Sequence, residues 1–193
     1  MSYDPPRPAG RLLLTPEDKE APDRARRLRL LGLGEQPEPA LDAFAERLAE
    51  RTGAPYAMVN FIGEQRQFFA GLRIPAARPP APADGAEAKP EVGRYMERDH
   101  GFCPHVVVRR KALALEDVRD YPRFAGNPVV DEFGIRSYLG APLIDSTGMV
   151  LGTVCVEDVE PRTWGKSGLE TIKSSAAELV ARLERRESDG FPL

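Results

Sequence analysis

Apolar residues recur along this chain with two different periods, and each period predicts a different kind of element. At 41–49 the apolar positions fall at i, i+3, i+4, i+7 and i+8, which is the spacing of a helix with one buried face. The apolar run at 56–62 predicts a buried strand, and 66–72 predicts its hairpin partner. A second hairpin is predicted from 138–144 and 149–157. Strands paired in hairpins favour an antiparallel sheet.

Helices are predicted at both ends of this pattern, and a less regular segment lies between the hairpins. A first helix is expected at 25–31, followed later by a short helix at 102–108, a short strand at 112–115, and turns with helical pieces at 117–133. The last helix carries an apolar stripe made of Leu169, Ile172, Ala176, Leu179, Val180 and Leu183. We therefore predict an α+β fold: a central antiparallel β-sheet with the N- and C-terminal helices on one face and an irregular helical and loop segment on the other.

Proline and glycine positions predict how the chain divides. A flexible N-terminal arm is expected at 1–20, where several prolines and a glycine oppose regular structure. A single domain is expected over 21–188, interrupted at 75–93 by a mobile loop rich in proline and alanine. The flanks of this loop continue one pattern, so the loop is not a domain boundary. Residues 189–193 are expected to form a tail.

Composition and charge exclude several classes of function. The 193 residues carry a net charge of -3, whereas nucleic-acid binding usually requires a basic patch. The basic stretch at 24–29 predicts a solvated helix face, because its arginines spread around a helix. No apolar run approaches the ~20 residues of a membrane span, and the N-terminus lacks the layout of a secretory signal. These features predict a cytoplasmic protein without nucleic-acid or membrane partners.

Histidine and cysteine provide the densest candidate chemistry. Cys103 and His105 lie two residues apart, and Cys155 lies on a strand that the fold could bring close. A structural zinc site would need four ligands in spaced pairs, and a Cys–His nucleophile would need an orienting group and an oxyanion site. We therefore predict no metal site and no catalytic residue. A redox-sensing thiol at Cys103 or Cys155 stays open beside a simpler interpretation, in which both thiols are reduced and buried.

Several ordered motifs resemble one known family over residues 24–183. The segments that carry the likeness are 54–59 (APYAMV), 66–69 (RQFF), 102–105 (FCPH), 117–128 (DVRDYPRFAGNP), 140–143 (GAPL) and 152–158 (GTVCVED). Each motif is short, but together and in this order they are similar to the GAF family, in the subgroup common in bacterial sensor proteins.

The resemblance implies a free-standing, non-catalytic sensory domain that binds a small molecule in a cavity between the sheet and the irregular segment. The implied ligand-binding residues are Phe61, Phe69, Phe102, Cys103, His105, Phe124, Tyr138 and Thr153. In such a cavity the rings would supply apolar area and the polar tips would fix orientation. For any single ring the alternative stays open that it is a core residue filling its own space. Neither the ligand nor a cofactor is identified.

Further expectations concern partners. The apolar stripe of the last helix predicts a homodimer, and the lack of a recognisable effector region predicts a separate signalling protein as partner. Two alternatives to ligand sensing remain: a redox sensor acting through Cys103 or Cys155, and a ligand-free dimerisation or interaction module.

Overall fold

The computed structural model describes residues 15–75 and 92–189. Residues 1–14, 76–91 and 190–193 lie outside the described part of the chain. Most of the predicted arm, most of the predicted proline-rich loop and the end of the predicted tail are therefore not covered.

The described part of the chain contains one sheet and six α-helices. The strands are β1 (Tyr56–Ile62), β2 (Arg66–Arg73), β3 (Tyr95–Glu97), β4 (Leu113–Leu115), β5 (Ser137–Ile144) and β6 (Val150–Asp158). The helices are α1 (Ala21–Leu30), α2 (Pro39–Thr52), α3 (Cys103–Arg109), α4 (Pro122–Ala125), α5 (Pro128–Glu132) and α6 (Gly165–Asp189). The strands pair antiparallel in the order β3-β2-β1-β6-β5-β4. Both predicted hairpins are confirmed, as β1–β2 and β5–β6.

Three helices, α1, α2 and α6, cover one face of this sheet and share its larger core. Helix α2 begins at Pro39, where the missing N–H would have had no helical partner. It ends at Gly53, whose φ of 68° favours glycine. The helix lies close to β2, because a Cβ on Gly71 would come within 2.3 Å of the Leu41 carbonyl oxygen. The first and last helices thus lie on one face, and the predicted α+β class is confirmed.

Three short helices, α3, α4 and α5, form a layer over the opposite face, here called the α3–α5 layer. Their apolar residues build a second core with the strands. Asn127 holds this layer together: its side chain accepts from the Gly101 amide at 2.8 Å and donates to the Gly101 carbonyl at 2.8 Å. The same side chain caps α5 by accepting from the Val129 amide. The loop before α3 is thereby fixed to the start of α5.

The apolar stripe of α6 is covered by the chain itself. Ile172, Leu179 and Leu183 are all buried in the core that α6 shares with α1, α2 and the sheet. These three residues are therefore not available to a second copy, and the homodimer stays a prediction without support from them.

The basic stretch at 24–29 also differs from its prediction. Arg24 is fully buried, and its Nε donates to the Val150 carbonyl at 2.6 Å. Its guanidinium pairs with Asp18 at 2.7 Å, and Asp18 also pairs with Arg98 at 2.6 Å. The prediction of a solvated face was wrong at Arg24, because a buried partner lies six residues earlier. Asp18, inside the predicted arm, is part of this buried cluster.

Candidate functional site

All of the predicted ligand-binding residues except Phe61 lie between the sheet and the α3–α5 layer, and all of them are buried. Their rings touch: the Phe102 centroid lies 5.9 Å from that of Phe124 and 5.2 Å from that of Tyr138. The ring of His105 lies 4.9 Å from that of Phe124. Phe69 belongs to the same core. The aromatic residues of separate segments thus converge on one layer.

Phe61 lies on the other face of the sheet. Successive side chains of a strand point to opposite faces. In β1, Met58 and Ile62 face the α3–α5 layer, and Phe61 faces the long helices. There Phe61 lines an open groove of about 300 Å³ beside α1 and the β1–β2 turn. Assigning Phe61 to the predicted cavity was therefore wrong.

Strand β6 contributes a row of polar side chains to the layer. Thr153, Cys155 and Glu157 occupy alternate positions and are all buried, so they share one face of the strand. Between them, Val154 and Val156 face the long helices. A strand at the centre of the sheet thus places a hydroxyl, a thiol and a carboxyl side by side in an otherwise apolar layer.

Cys103, the first residue of α3, lies over this row. Its Sγ is 3.6 Å from the Sγ of Cys155 and 3.4 Å from the hydroxyl of Tyr138. Both thiols are free and buried, as the simpler interpretation of the sequence expected. Tyr138 has room for its ring because residue 140 is glycine: a Cβ on Gly140 would come within 2.1 Å of the Tyr138 hydroxyl.

The surroundings make the two thiols chemically different. The hydrogen bond with Cys155 lowers the pKa of Cys103; burial opposes this effect, and the polar groups of Thr153, Tyr138 and Asn60 reinforce it. The same hydrogen bond, together with burial and nearby negative charge, raises the pKa of Cys155 well above its ordinary value. When one proton leaves the pair, the charge therefore settles on Cys103, and Cys155 keeps its S–H.

Glu157 is a buried carboxyl that the sequence analysis did not select. Burial, followed by the charge on Cys103, raises the pKa of Glu157 to about 8. This side chain therefore holds its proton at neutral pH and adds no charge to the layer. A polar residue in alternation with Thr153 and Cys155 was the signal that could have identified it.

Two amide side chains, also missed from the sequence, anchor the loop before α3. Asn60 Nδ2 donates to Gln67 Oε1 at 2.7 Å. Gln67 Nε2 in turn donates to the carbonyls of Glu97 at 2.8 Å and His100 at 2.6 Å. The position of α3 over the sheet thus depends on side chains of β1 and β2. An amide inside the apolar run 56–62 was the available signal.

Some polar atoms of this layer lack a partner. Asn60 Oδ1, Thr153 Oγ1 and His105 Nδ1 are buried, and none has a hydrogen bond of good geometry to the described residues. Burial, with the charges of Arg123 and Arg109, lowers the pKa of His105 to about 4, so its ring is neutral at pH 7. Because buried polar atoms in proteins usually have a partner, these three offer hydrogen-bonding capacity to a guest molecule.

In residues 15–75 and 92–189, no three histidine, cysteine or acidic side chains are grouped so that they could hold a metal ion. In the same residues no helix combines the length and the apolar character that crossing a membrane requires.

Comparison with known proteins identifies the family. The family model of the GAF domain matches residues 36–183. This chain belongs to the GAF domain family. The predicted resemblance is confirmed, and the sheet with its two helical layers is the GAF fold.

Relatives of this GAF domain include proteins of several kinds. A cyclic di-GMP phosphodiesterase of Pseudomonas aeruginosa is 32% identical over 184 residues, which are 91% of this chain and 27% of that protein. The chain therefore spans little more than a quarter of that relative's length. The GAF domain of an Acinetobacter phosphoenolpyruvate-protein phosphotransferase has a TM-score of 0.56 at 15% identity, covering 90% of this chain and 99% of the other. The type II free methionine-R-sulfoxide reductase of Thermoplasma acidophilum has a TM-score of 0.54 at 11% identity, covering 76% and 91%.

These comparisons overturn the expectation that the chain is not an enzyme. The relative at 32% identity is named as a phosphodiesterase, and a solved neighbour with the same fold is a reductase. The expectation rested on the absence of a recognisable catalytic motif. That absence is weak evidence, because a reactive site can be assembled from side chains that lie far apart in the sequence.

Proposed function

We propose that this GAF domain is a sensory module of a signalling protein and that it binds a compact polar molecule between the sheet and the α3–α5 layer. The unpartnered polar atoms carry this proposal: Asn60 Oδ1, Thr153 Oγ1 and His105 Nδ1. A guest with its own donors and acceptors would supply the missing partners. The surrounding rings would bury its apolar parts, which is the usual composition of a ligand site.

The contacts among the rings limit the size of the guest. Phe102 already touches Tyr138 and Phe124, so a large planar molecule would have to push the α3–α5 layer outward. A small molecule beside Thr153 and Asn60 would need less movement. Displacement of α3 would reach the start of α5 through Asn127, which supports this layer as the part that responds to binding.

Native mass spectrometry of the purified chain tests the proposal, because a co-purified molecule would appear as added mass. Thermal shift with free amino acids and other compact polar metabolites as probes extends the test, and cyclic di-GMP and haem serve as bulky probes that should give a smaller rise in Tm or none. For any probe that raises Tm, Thr153→Val should reduce the rise, because it removes the hydroxyl and keeps the shape. Thr163→Val, at an exposed threonine, is the matched control and should leave the rise unchanged. No added mass together with no shift for any probe would refute ligand sensing.

We also propose a homodimer, now on different grounds from the α6 stripe. Leu30 is 80% exposed at the end of α1. One turn earlier on the same helix, Arg27 pairs with Glu187 of α6 at 2.7 Å. An exposed leucine on a helix that packs with α6 supports contact between copies through the long helices. Light scattering across micromolar concentrations tests this; a monomer throughout would contradict it.

A second candidate function is sensing of an oxidant by thiols. The 3.6 Å contact between the sulfurs of Cys103 and Cys155 favours it. Treatment with mild peroxide, followed by mass spectrometry of the folded protein, tests this candidate. Two unmodified thiols after treatment would exclude it.

A further inference from the structure

We propose that Cys103 and Cys155 reduce a small hydroperoxide and form an intrachain disulfide, with Cys103 as the attacking thiol and Cys155 as the resolving thiol. This inference rests on the second candidate function and adds to it the order of the steps, the class of oxidant and the product. Its basis is the sulfur contact of 3.6 Å between residues that are 52 positions apart in the chain.

The geometry allows a disulfide after a small movement. A disulfide bond is about 2 Å long, so the sulfurs would approach by roughly 1.6 Å. Cys155 is fixed in β6, which pairs with β1 on one side and β5 on the other. Cys103 is the first residue of the short helix α3, which no strand pairing holds in place. The approach therefore falls to α3.

The order of reaction follows from the groups around each sulfur. Cys103 has the Tyr138 hydroxyl at 3.4 Å, the Cys155 thiol and the nearby Thr153, all able to donate to a thiolate. Once Cys103 carries this charge, the charge opposes ionisation of Cys155, whose sulfur lies only 3.6 Å away. Cys103 is thus the sulfur that forms a thiolate, and the thiolate is the nucleophile.

Atoms and electrons balance in two steps. Cys103 first loses its proton, and its thiolate attacks the O–H oxygen of the hydroperoxide. An S–O bond forms, the O–O bond breaks, and the leaving oxygen takes up the proton that Cys103 lost to become an alcohol, or water in the case of hydrogen peroxide. The Cys155 sulfur then attacks the sulfenic sulfur: the S–S bond forms, the S–O bond breaks, and hydroxide leaves with the proton of Cys155 as water. Two thiols are oxidised and one hydroperoxide is reduced.

The site favours a small oxidant with hydrogen-bonding groups. Cys103 and Cys155 are 4% and 1% exposed, so a bulky reagent cannot reach either sulfur without displacing α3. Thr153 Oγ1 and Asn60 Oδ1 are unpartnered beside Cys103 and could receive the O–H groups of a peroxide. These features match hydrogen peroxide better than a peptide or lipid hydroperoxide.

Peptide mapping of the full chain after hydrogen peroxide treatment tests the proposal, and it is unambiguous because the sequence holds two cysteines. The wild-type chain should lose the mass of two hydrogen atoms and yield a non-reduced peptide that links Cys103 to Cys155. Cys155→Ser should instead accumulate a dimedone-reactive sulfenic acid at Cys103. Cys103→Ser should keep Cys155 as a thiol at the same dose of peroxide.

Other results would overturn it. Oxidation of Cys155 in Cys103→Ser at the wild-type rate would contradict the assigned order of attack. Disulfides that form between chains would contradict the intrachain product. If the folded wild type keeps both thiols and loses them only in urea, the proposed reactivity of the folded protein is refuted. The mapping of the wild-type chain decides the outcome even if a variant misfolds. Thermal shift of the reduced protein with the ligand probes is measured separately, so failure of ligand sensing is distinguishable from failure of this inference.

Discussion

The ion cluster beneath α1 allows a direct test of the described packing. The side chains of Arg24 and Asp18 are 0% and 4% exposed, and their charged atoms lie 2.7 Å apart. Asp18→Asn keeps the shape of the residue but removes its charge, so the Arg24 guanidinium stays buried without a full counter-charge. Removing one partner of a buried pair costs about 3–5 kcal/mol. We expect the free energy of unfolding to fall by this order.

A matched control lies on α1, the helix that carries Arg24. Asp23 pairs with Arg26, and their side chains are 57% and 64% exposed. Asp23→Asn makes the same chemical change in water, where an ion pair contributes about 0–1 kcal/mol. Because domains are stable by only about 5–15 kcal/mol in total, the two variants should be well separated. Urea denaturation followed by circular dichroism at pH 7 measures both.

The pH dependence adds a second readout. Burial by itself raises the pKa of Asp18, but the hydrogen bonds and charges of Arg24 and Arg98 outweigh it and lower the pKa overall. A lowered pKa means that this carboxylate contributes its full stability above about pH 4, the unfolded value, and loses it as the pH falls through the folded value. The gap between wild type and Asp18→Asn should therefore narrow in acid. If Asp18→Asn costs no more than Asp23→Asn at pH 7, the buried cluster is refuted.

Three further predictions concern the α3–α5 layer. Burial raises the pKa of Glu157 to about 8. The free energy of unfolding of the wild type should therefore fall by about 1–3 kcal/mol relative to Glu157→Gln as the pH rises from 5 to 8. Urea denaturation measures this, and a difference that stays constant with pH would contradict it. Gly140→Ala should lower the free energy of unfolding by about 1–3 kcal/mol, because the added methyl crowds the Tyr138 hydroxyl, and it should slow peroxide oxidation of the thiol pair. Gly126→Ala, at a glycine with open space around it, is the control and should have neither effect. The pKa of His105 is lowered to about 4, so its ring should stay neutral in an NMR titration from pH 8 to 5. The stability that depends on the neutral ring should be lost as the pH falls from about 6.5 to 4. Protonation near pH 6.5 would show that the ring is exposed.

The sequence was sufficient for the elements whose signal is local. The period of α2 and the apolar runs of β1 and β6 lie within single segments, so the helices and hairpins could be predicted without knowing their neighbours. The face taken by Phe61 needed one further step. Alternation within β1 puts Phe61 on the face opposite Met58 and Ile62, but the continuous apolar run of β1 gives no sign of which face the α3–α5 layer covers.

The burial of Arg24 shows the same limit for a charged residue. Its partners are Asp18, just before α1, and the carbonyl of Val150 on a strand far along the chain. Neither contact can be predicted from the arrangement of residues 24–29 around a helix, because both depend on tertiary packing. Glu157 is different: its polar position inside an apolar strand was visible in the sequence, and alternation with Cys155 already placed it on the same face.

Ligand binding and thiol oxidation, if both occur, must affect each other, because both use the first turn of α3. Disulfide formation would draw Cys103 toward β6 by roughly 1.6 Å, and with it Phe102 and His105, which belong to the proposed ligand site. A guest that holds α3 away from β6 would then bind the reduced form more tightly. By thermodynamic reciprocity, the same guest would make the disulfide harder to form by the same factor. The rate at which peroxide oxidises the thiol pair, measured with and without a bound probe, therefore tests both proposals together. Equal rates would show that ligand binding and thiol oxidation are independent.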